Sequence, residues 1–317
     1  MRRSLLLIPA LALVVLATLA TGPSTDASGP GPWKKFGGGS IPNFLRAGIV
    51  RNGQVLHVAF ARSAGSKYEI ALQRIRDNGT FVDANPRVVV GNWSGLADPG
   101  LVRTSNGRLR MFWVGTESTN AGALDGLITS SGAADGGAWA APQLVLTEGG
   151  TENADQVAVT VAGSEIVQAW TGDGGIGVHS GTAGGPVYTY GKVLSSGSPL
   201  CCSSDAALAT DSATGKVYAA WCDNDDKADG IIVQEGSPAT GKSAGPKHRL
   251  DGSYTVSSGQ QIRACNGVKP EAMVGRQGGG VYVAAGVGYP TPKRLKIWKL
   301  GTADPQPLEV GGVGEYK

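Results

Sequence analysis

The chain has 317 residues, with 28 Lys and Arg against 25 Asp and Glu, 50 glycines and four cysteines. A formal charge of +3 is too balanced to argue for nucleic acid or an anionic membrane surface as partner. The length is ample for one large core, and sparse charge with abundant Gly fits a turn-rich β protein rather than a disordered chain.

Arg2 and Arg3 precede an apolar stretch over residues 5–20 that is interrupted by Pro9. A charged segment before a short apolar run is the pattern of a secretory signal peptide, and the run is too short for a comfortable membrane span. Residues 1–27 are therefore expected to be an export signal, with an uncleaved anchor as the alternative, and the protein to be secreted or extracytoplasmic. Their removal takes away Arg2, Arg3 and Asp26, so 28 − 2 basic and 25 − 1 acidic residues remain, a net +2. Residues 28–40 read as a Gly/Pro/Ser linker in which Trp33 to Phe36 is a candidate closing strand, and residues 41–317 as one β domain.

Within that domain an apolar run ending near an aromatic residue returns five times. Its last positions are Phe60, Trp113, Trp170, Trp221 and Ala285, spaced by 53, 57, 51 and 64 residues. A period near fifty, with short strands and Gly-rich turns, predicts an all-β propeller of four-stranded antiparallel blades. The first blade is expected at 44–50, 55–61, 68–75 and 87–90, and the second at 100–104, 109–114, 124–129 and 143–146. The third is expected at 157–161, 166–171, 176–179 and 187–190, and the fourth at 206–210, 217–222, 230–234 and 247–250. The fifth is expected at 272–274, 281–285, 295–300 and 308–310. Alternation supports the strands: Leu109, Met111 and Trp113 point one way, Arg110 and Phe112 the other. Asn-Gly at 52–53 and 106–107 marks hairpin turns. Two arrangements fit five visible blades, a five-bladed ring or a truncated six-bladed one, and the absence of a terminator after Val310 favours truncation.

A polar or acidic residue stands before each innermost strand: Asn43, Asp98, Asp155, Asp205 and Glu271. Propeller geometry would gather these positions at one mouth. Crowded carboxylates have separated pKa values, as acid/base work on glycosides requires. For a single residue, capping of backbone amides at a strand entry is the better explanation, whereas four at matching positions weigh evenly between the two. Arg46, Arg62 and Arg263 are the candidate ligands of an acidic sugar, because a guanidinium fork binds a carboxylate through two parallel hydrogen bonds. Surface ion pairing is their other reading.

Cys201, Cys202, Cys222 and Cys265 are expected on one face, in disulfides that an exported chain permits. One link is expected from 201 or 202 to Cys222 and the other to Cys265. No cofactor is expected. The acidic run Asp223, Asp225, Asp226 and Asp229 offers oxygen ligands for Ca²⁺ but lacks the Gly and distal Glu of an EF-hand loop, so a solvated hairpin tip explains it better. His57, His179 and His248 fall in different blades, which argues against a zinc site or a catalytic triad.

Asp77-Asn78-Gly79-Thr80-Phe81 and Asp135-Gly136-Gly137-Ala138-Trp139 share the form Asp-x-Gly-x-aromatic at the turn from third to fourth strand. This motif resembles the Asp-box of sialidases and related propellers. Ile41-Pro42-Asn43-Phe44-Leu45-Arg46 sits where that family carries a Phe-Arg-Ile-Pro motif, with the order changed. Asp98 to Val102 resembles its second-blade opening. The likeness spans most of residues 41–286. It implies a six-bladed propeller that binds the carboxylate of a sialic acid with three arginines, to which Arg46 and Arg263 correspond. It also implies a Tyr–Glu nucleophile pair and an Asp acid/base; where that Asp should lie, this chain offers Glu69, and the Tyr would fall in a sixth blade. A five-bladed furanosidase-type glycoside hydrolase is the enzymatic rival. Two functions are open at this point: a monomeric, sialidase-like propeller that binds and hydrolyses glycans, and a non-catalytic scaffold whose partner is an extracellular protein.

Overall fold

The computed structural model describes residues 46–117, 124–147, 156–172, 175–182, 193–195, 206–223, 230–236, 247–250, 254–255, 261–262, 269–275, 278–287, 294–300 and 307–310. These belong to a compact unit, Gly37–Lys317. Among them the regular structure is entirely antiparallel β-sheet.

The first sheet has seven strands in sequence order: β1 (Gly48–Asn52), β2 (Val55–Ala64), β3 (Lys67–Arg76), β4 (Arg87–Arg103), β5 (Leu109–Glu117), β6 (Asp125–Gly132) and β7 (Gln143–Thr147). The second has β8 (Gln156–Ala162), β9 (Glu165–Gly172), β10 (Gly175–Thr182) and β11 (Val193–Ser195). The third has β12 (Ala207–Thr210), β13 (Val217–Asp223), β14 (Gly230–Gly236) and β15 (Lys247–Leu250). A hairpin of β16 (Tyr254–Thr255) and β17 (Gln261–Ile262) follows. The last sheet has β18 (Lys269–Gly275), β19 (Val281–Val287), β20 (Arg294–Lys299) and β21 (Pro307–Val310).

Five repeating units are thus visible, with one correction to the expected strands. The outer strand of the first unit and the inner strand of the second are a single 17-residue strand, β4. Its start pairs with β3 and its remainder with β5, and Trp93 faces a partner on each side, Tyr68 and Glu117. Asn92, at φ 71°, supplies the left-handed residue beside the irregularity at Trp93. Outer and inner strand can therefore fuse without a loop. The β16–β17 hairpin had no counterpart in the repeat. The expected fourth strand of the third unit, 187–190, lies outside the described residues; β11 is the strand that pairs there with β10.

Alternation sorts the side chains between neighbouring units. Met111 and Trp113 pack with Ala59, Ile70 and Leu72 of the first unit. Phe112, between them in sequence, packs with Val157 and Ile166 of the third. Val217, Ala219 and Trp221 pack on Val167 and Ala169, whereas Tyr218 and Ala220 pack on Val283, Ala285 and Trp298. A sheet buried on both faces needs apolar residues at consecutive positions, which explains runs such as Val217-Tyr218-Ala219-Ala220-Trp221. Trp93 and Trp113 meet edge-to-face, 5.6 Å between centroids at 85°, the arrangement that ring quadrupoles favour.

The inner strands lie side by side in succession, β1 against β4, β4 against β8, β8 against β12 and β12 against β18. Their closeness depends on missing side chains: a Cβ on Gly48 would stand 2.3 Å from the Pro99 carbonyl oxygen.

Candidate functional site

Each unit has two ends. At the turn end lie the turns from first to second and from third to fourth strand. At the opposite, leading end the inner strand begins.

Two inner strands carry a bulge at the same register of their leading end. Ala97 pairs with Val114 and Gly100 with Phe112, so Asp98 and Pro99 hold one residue more than the facing strand. Pro270 pairs with Ala285 and Ala272 with Ala284, so Glu271 is the extra residue. From Gly100 and from Ala272 onward, each hairpin runs through four matched pairs to its turn. The local cause is proline. Pro99, within the first bulge, and Pro270, directly before the second, have no N–H for the ladder, which favours an irregularity there. Both of these strands place a carboxyl residue in the bulge. The third unit has no bulge in its described residues, since β8 and β9 pair continuously from Gln156 to Ala162. Asp155 and Asp205, directly before the described parts of the third and fourth inner strands, lie outside the described residues, as does Asn43.

Arg46, just before β1, extends its guanidinium to the fourth unit, where Nη1 donates to the Ala206 carbonyl at 3.0 Å. Ala206 immediately precedes β12. One side chain thus connects the leading ends of two units that are 160 residues apart in sequence. Arg62 faces Glu69 across the β2–β3 hairpin and donates from Nε to Oε1 at 2.6 Å, with only 16% and 15% of the two side chains exposed. The acid at the position expected for a proton donor is therefore ion-paired. Sequence reasoning took Arg62 and Glu69 separately and missed the pair. The signal was present: a two-residue turn at Gly65-Ser66 puts residues 62 and 69 opposite one another. Arg263 lies outside the described residues, and so do Cys201, Cys202 and Cys265; Cys222 lies in β13, paired with Ile231. Residues 224–229 of the acidic run are also outside them. Among the described residues no group of three or more His, Cys, Asp or Glu side chains could hold a metal ion. No helix there is long and apolar enough to cross a membrane.

The turn end holds the Asp-box-like turns. Asp135 Oδ1 accepts the Gly137 amide at 2.9 Å, and Trp139 Nε1 donates to the Gly136 carbonyl at 3.1 Å. That amide holds the Asp135 carboxyl below the usual carboxylate range. In the first copy Asn78 takes the accepting role, receiving the amide and the hydroxyl of Thr80 at 3.0 and 2.7 Å. Phe81 and Trp139 each close their turn with a β-bridge, to Ile75 and Gly132.

Neighbouring units are tied together here. Asn52 Nδ2 donates to the Ala134 carbonyl at 2.6 Å. Arg74 Nη1 donates to the Asp135 carbonyl at 2.9 Å while its Nε and Nη2 form a two-point pair with Asp83 at 2.7 and 2.8 Å. The Arg74 guanidinium, followed by that of Arg87, holds the Asp83 carboxyl below its ordinary value. Asp211 binds the Ala213 amide at 2.9 Å within its own turn and the Gly280 amide of the fifth unit at 3.1 Å.

No family model matches the chain, and no curated protein aligns with it. Solved structures do share its fold. A protein of unknown function from Dyadobacter fermentans matches with a TM-score of 0.57 at 12% identity, over 84% of this chain and 82% of that one. The K499G mutant of the sialidase NanB from Streptococcus pneumoniae matches with a TM-score of 0.56 at 9% identity, over 85% of this chain and 61% of the sialidase. An α-L-arabinanase from Penicillium chrysogenum, complexed with arabinobiose, matches with a TM-score of 0.51 at 11% identity, over 83% and 80%. At such identities the likeness is one of architecture: antiparallel sheets in succession, as in the propellers of glycoside hydrolases.

Proposed function

We propose that the protein is an exported β-propeller that binds a glycan over the leading ends of its inner strands and hydrolyses it with carboxyl groups held there. One observation carries this reading: Asp98 and Glu271 occupy register-matched bulges on the inner strands of two units. In this reading residues 1–27 are the export signal, 28–40 the linker and 41–317 the propeller. Asp98 and Glu271, with Asp155 and Asp205, which precede the third and fourth inner strands in sequence, form the set from which a proton donor and a base or nucleophile are drawn. Arg46 positions the site by joining the first unit to the fourth, and Arg263 is the further candidate ligand of an acidic sugar. The likeness to a sialidase and an arabinanase supports glycans as the ligand class.

The Arg62–Glu69 pair favours a second reading. An arginine already neutralised by its own chain is what a non-catalytic scaffold for an extracellular partner would retain, the four cysteines then serving as staples.

Hydrolysis of a chromogenic sialoside and of arabinofuranosides, together with retention on immobilised glycans, separates the two. The enzyme reading expects turnover that falls about 10²-fold or more in Asp98→Asn or Glu271→Gln, the scale of general acid–base catalysis. Absence of both turnover and retention leaves the scaffold.

A further inference from the structure

His57 lies on β2, on the face turned to the second unit, and only 2% of it is exposed. Neither ring nitrogen has a hydrogen-bond partner. Immediately above it sits the Asp135-Gly136 turn, so close that a Cβ on Gly136 would come within 3.3 Å of the imidazole Cδ2. Beside it on β3, in register, is Arg74, which is bound to the Asp135 carbonyl and to Asp83. The imidazole therefore fills the junction between two units and lies next to the guanidinium that fastens them.

We propose that His57 is an acid-sensitive latch, which holds the 133–138 turn against the first unit while neutral and releases it when protonated.

The charged groups around the ring explain the direction. Arg74 of β3 repels an imidazolium, whereas Asp135 of the turn attracts it. The Asp135 carboxylate, however, is already bound to the Gly137 amide, and Asp83 is shared by Arg74 and Arg87. The backbones of Asp135 and Val55 are the other polar neighbours. Burial outweighs all of these and lowers the His57 pKa from its ordinary 6.5. An imidazolium has two N–H donors to satisfy; the backbones of Asp135 and Val55 favour it, but neither makes a well-formed hydrogen bond to the ring and together they do not offset burial. Lifting the turn admits water to both donors. Ala134 and Asp135 are exposed, so the opening needs no sheet to unfold.

The sign follows from linkage. The open form takes up a proton near pH 6.5, the closed form only at lower pH. The closed form is thus fully favoured above that value and loses ground as the pH falls below it. Asp83 and Asp135, whose carboxyls are held below 3.8, stay ionised through the upper part of this range.

The test is amide hydrogen exchange of the 133–138 segment in the full chain at pH 7 and pH 5, corrected for intrinsic rates, beside His57→Gln and His57→Leu. Protection of the wild-type segment should fall by roughly tenfold between pH 7 and pH 5, as the open form takes up its proton. Neither variant should show that pH dependence. Equal protection at both pH values, or the same fall in a variant, overturns the latch. Should neither variant fold, the His57 imidazole resonance, followed by NMR in the wild type, decides: titration at or above 6.5 with the turn unmoved contradicts the proposal.

Discussion

The two ends of the first and second units use the same residue types for different ends. At the turn end, polar side chains are committed across the unit boundary: Asn52 to Ala134, Arg74 to Asp135, with Asp83 behind it. At the leading end, Arg62 meets Glu69 within one hairpin, and Arg46 ties the first unit to the fourth. The bulges at Asp98 and Glu271 are at that end too. Turn-end polar groups therefore hold the stack together. The leading end carries acids where the backbone gives up its own pairing. An Asp-box resemblance points to the first kind of residue, so it speaks for architecture and not for chemistry.

Four substitutions, from the largest effect to the smallest, break or sharpen this contrast. Gly136→Val should destabilise by about 3 kcal/mol or more, measured by urea unfolding. Its φ of 72° is unfavourable for a branched side chain, and the new Cβ would stand 2.6 Å from Leu72 Cδ2. Arg74→Met should lower stability by about 2 kcal/mol, because it removes the two-point partner of the mostly buried Asp83, leaving it to Arg87 alone, and frees the Asp135 carbonyl. That loss should shrink at acid pH. The Asp83 carboxyl is held low by Arg74, so the pair's contribution is complete above the ordinary value of 3.8 and disappears as the pH falls below it.

Asn52→Ala should cost about 1 kcal/mol, the scale of a hydrogen bond, without altering any glycan interaction. Asp98→Asn should change stability by less than about 0.5 kcal/mol while, in the enzyme reading, lowering turnover about 10²-fold or more. A large stability loss from Asp98→Asn, or loss of glycan retention from Asn52→Ala, would reverse the assignment of the two ends.

The repeat and the alternation were legible because they arise from burial, which writes itself into consecutive residues. Trp113 and Phe112 fall on opposite faces as their positions require, and each finds the neighbouring unit. The merging of two expected strands into β4 was not legible. It depends on Asn92 adopting a left-handed conformation, which Asn tolerates without demanding it. The bulges were half legible. Pro99 and Pro270 announce a break in pairing, but its register appears only once Phe112 and Ala284 are placed opposite Gly100 and Ala272. Arg46 illustrates the limit. Its position before an inner strand was evident, but its acceptor is a backbone carbonyl, and any residue in place of Ala206 would offer the same oxygen.

The continuous strand β4 also bears on how the chain acquires its structure during synthesis. Seven strands in sequence order, each paired with the next, require only short loops to close, and such local pairings form early. About one hundred residues, from β1 to β7, can thus assemble while the ribosome is still producing β8 and beyond. Strand β4 couples the first two units so that neither need wait for a separate docking step. The bond from Arg46 to Ala206 can form only after the fourth unit has emerged, and a pulse of newly made chain should show the first seven strands protected before that link exists.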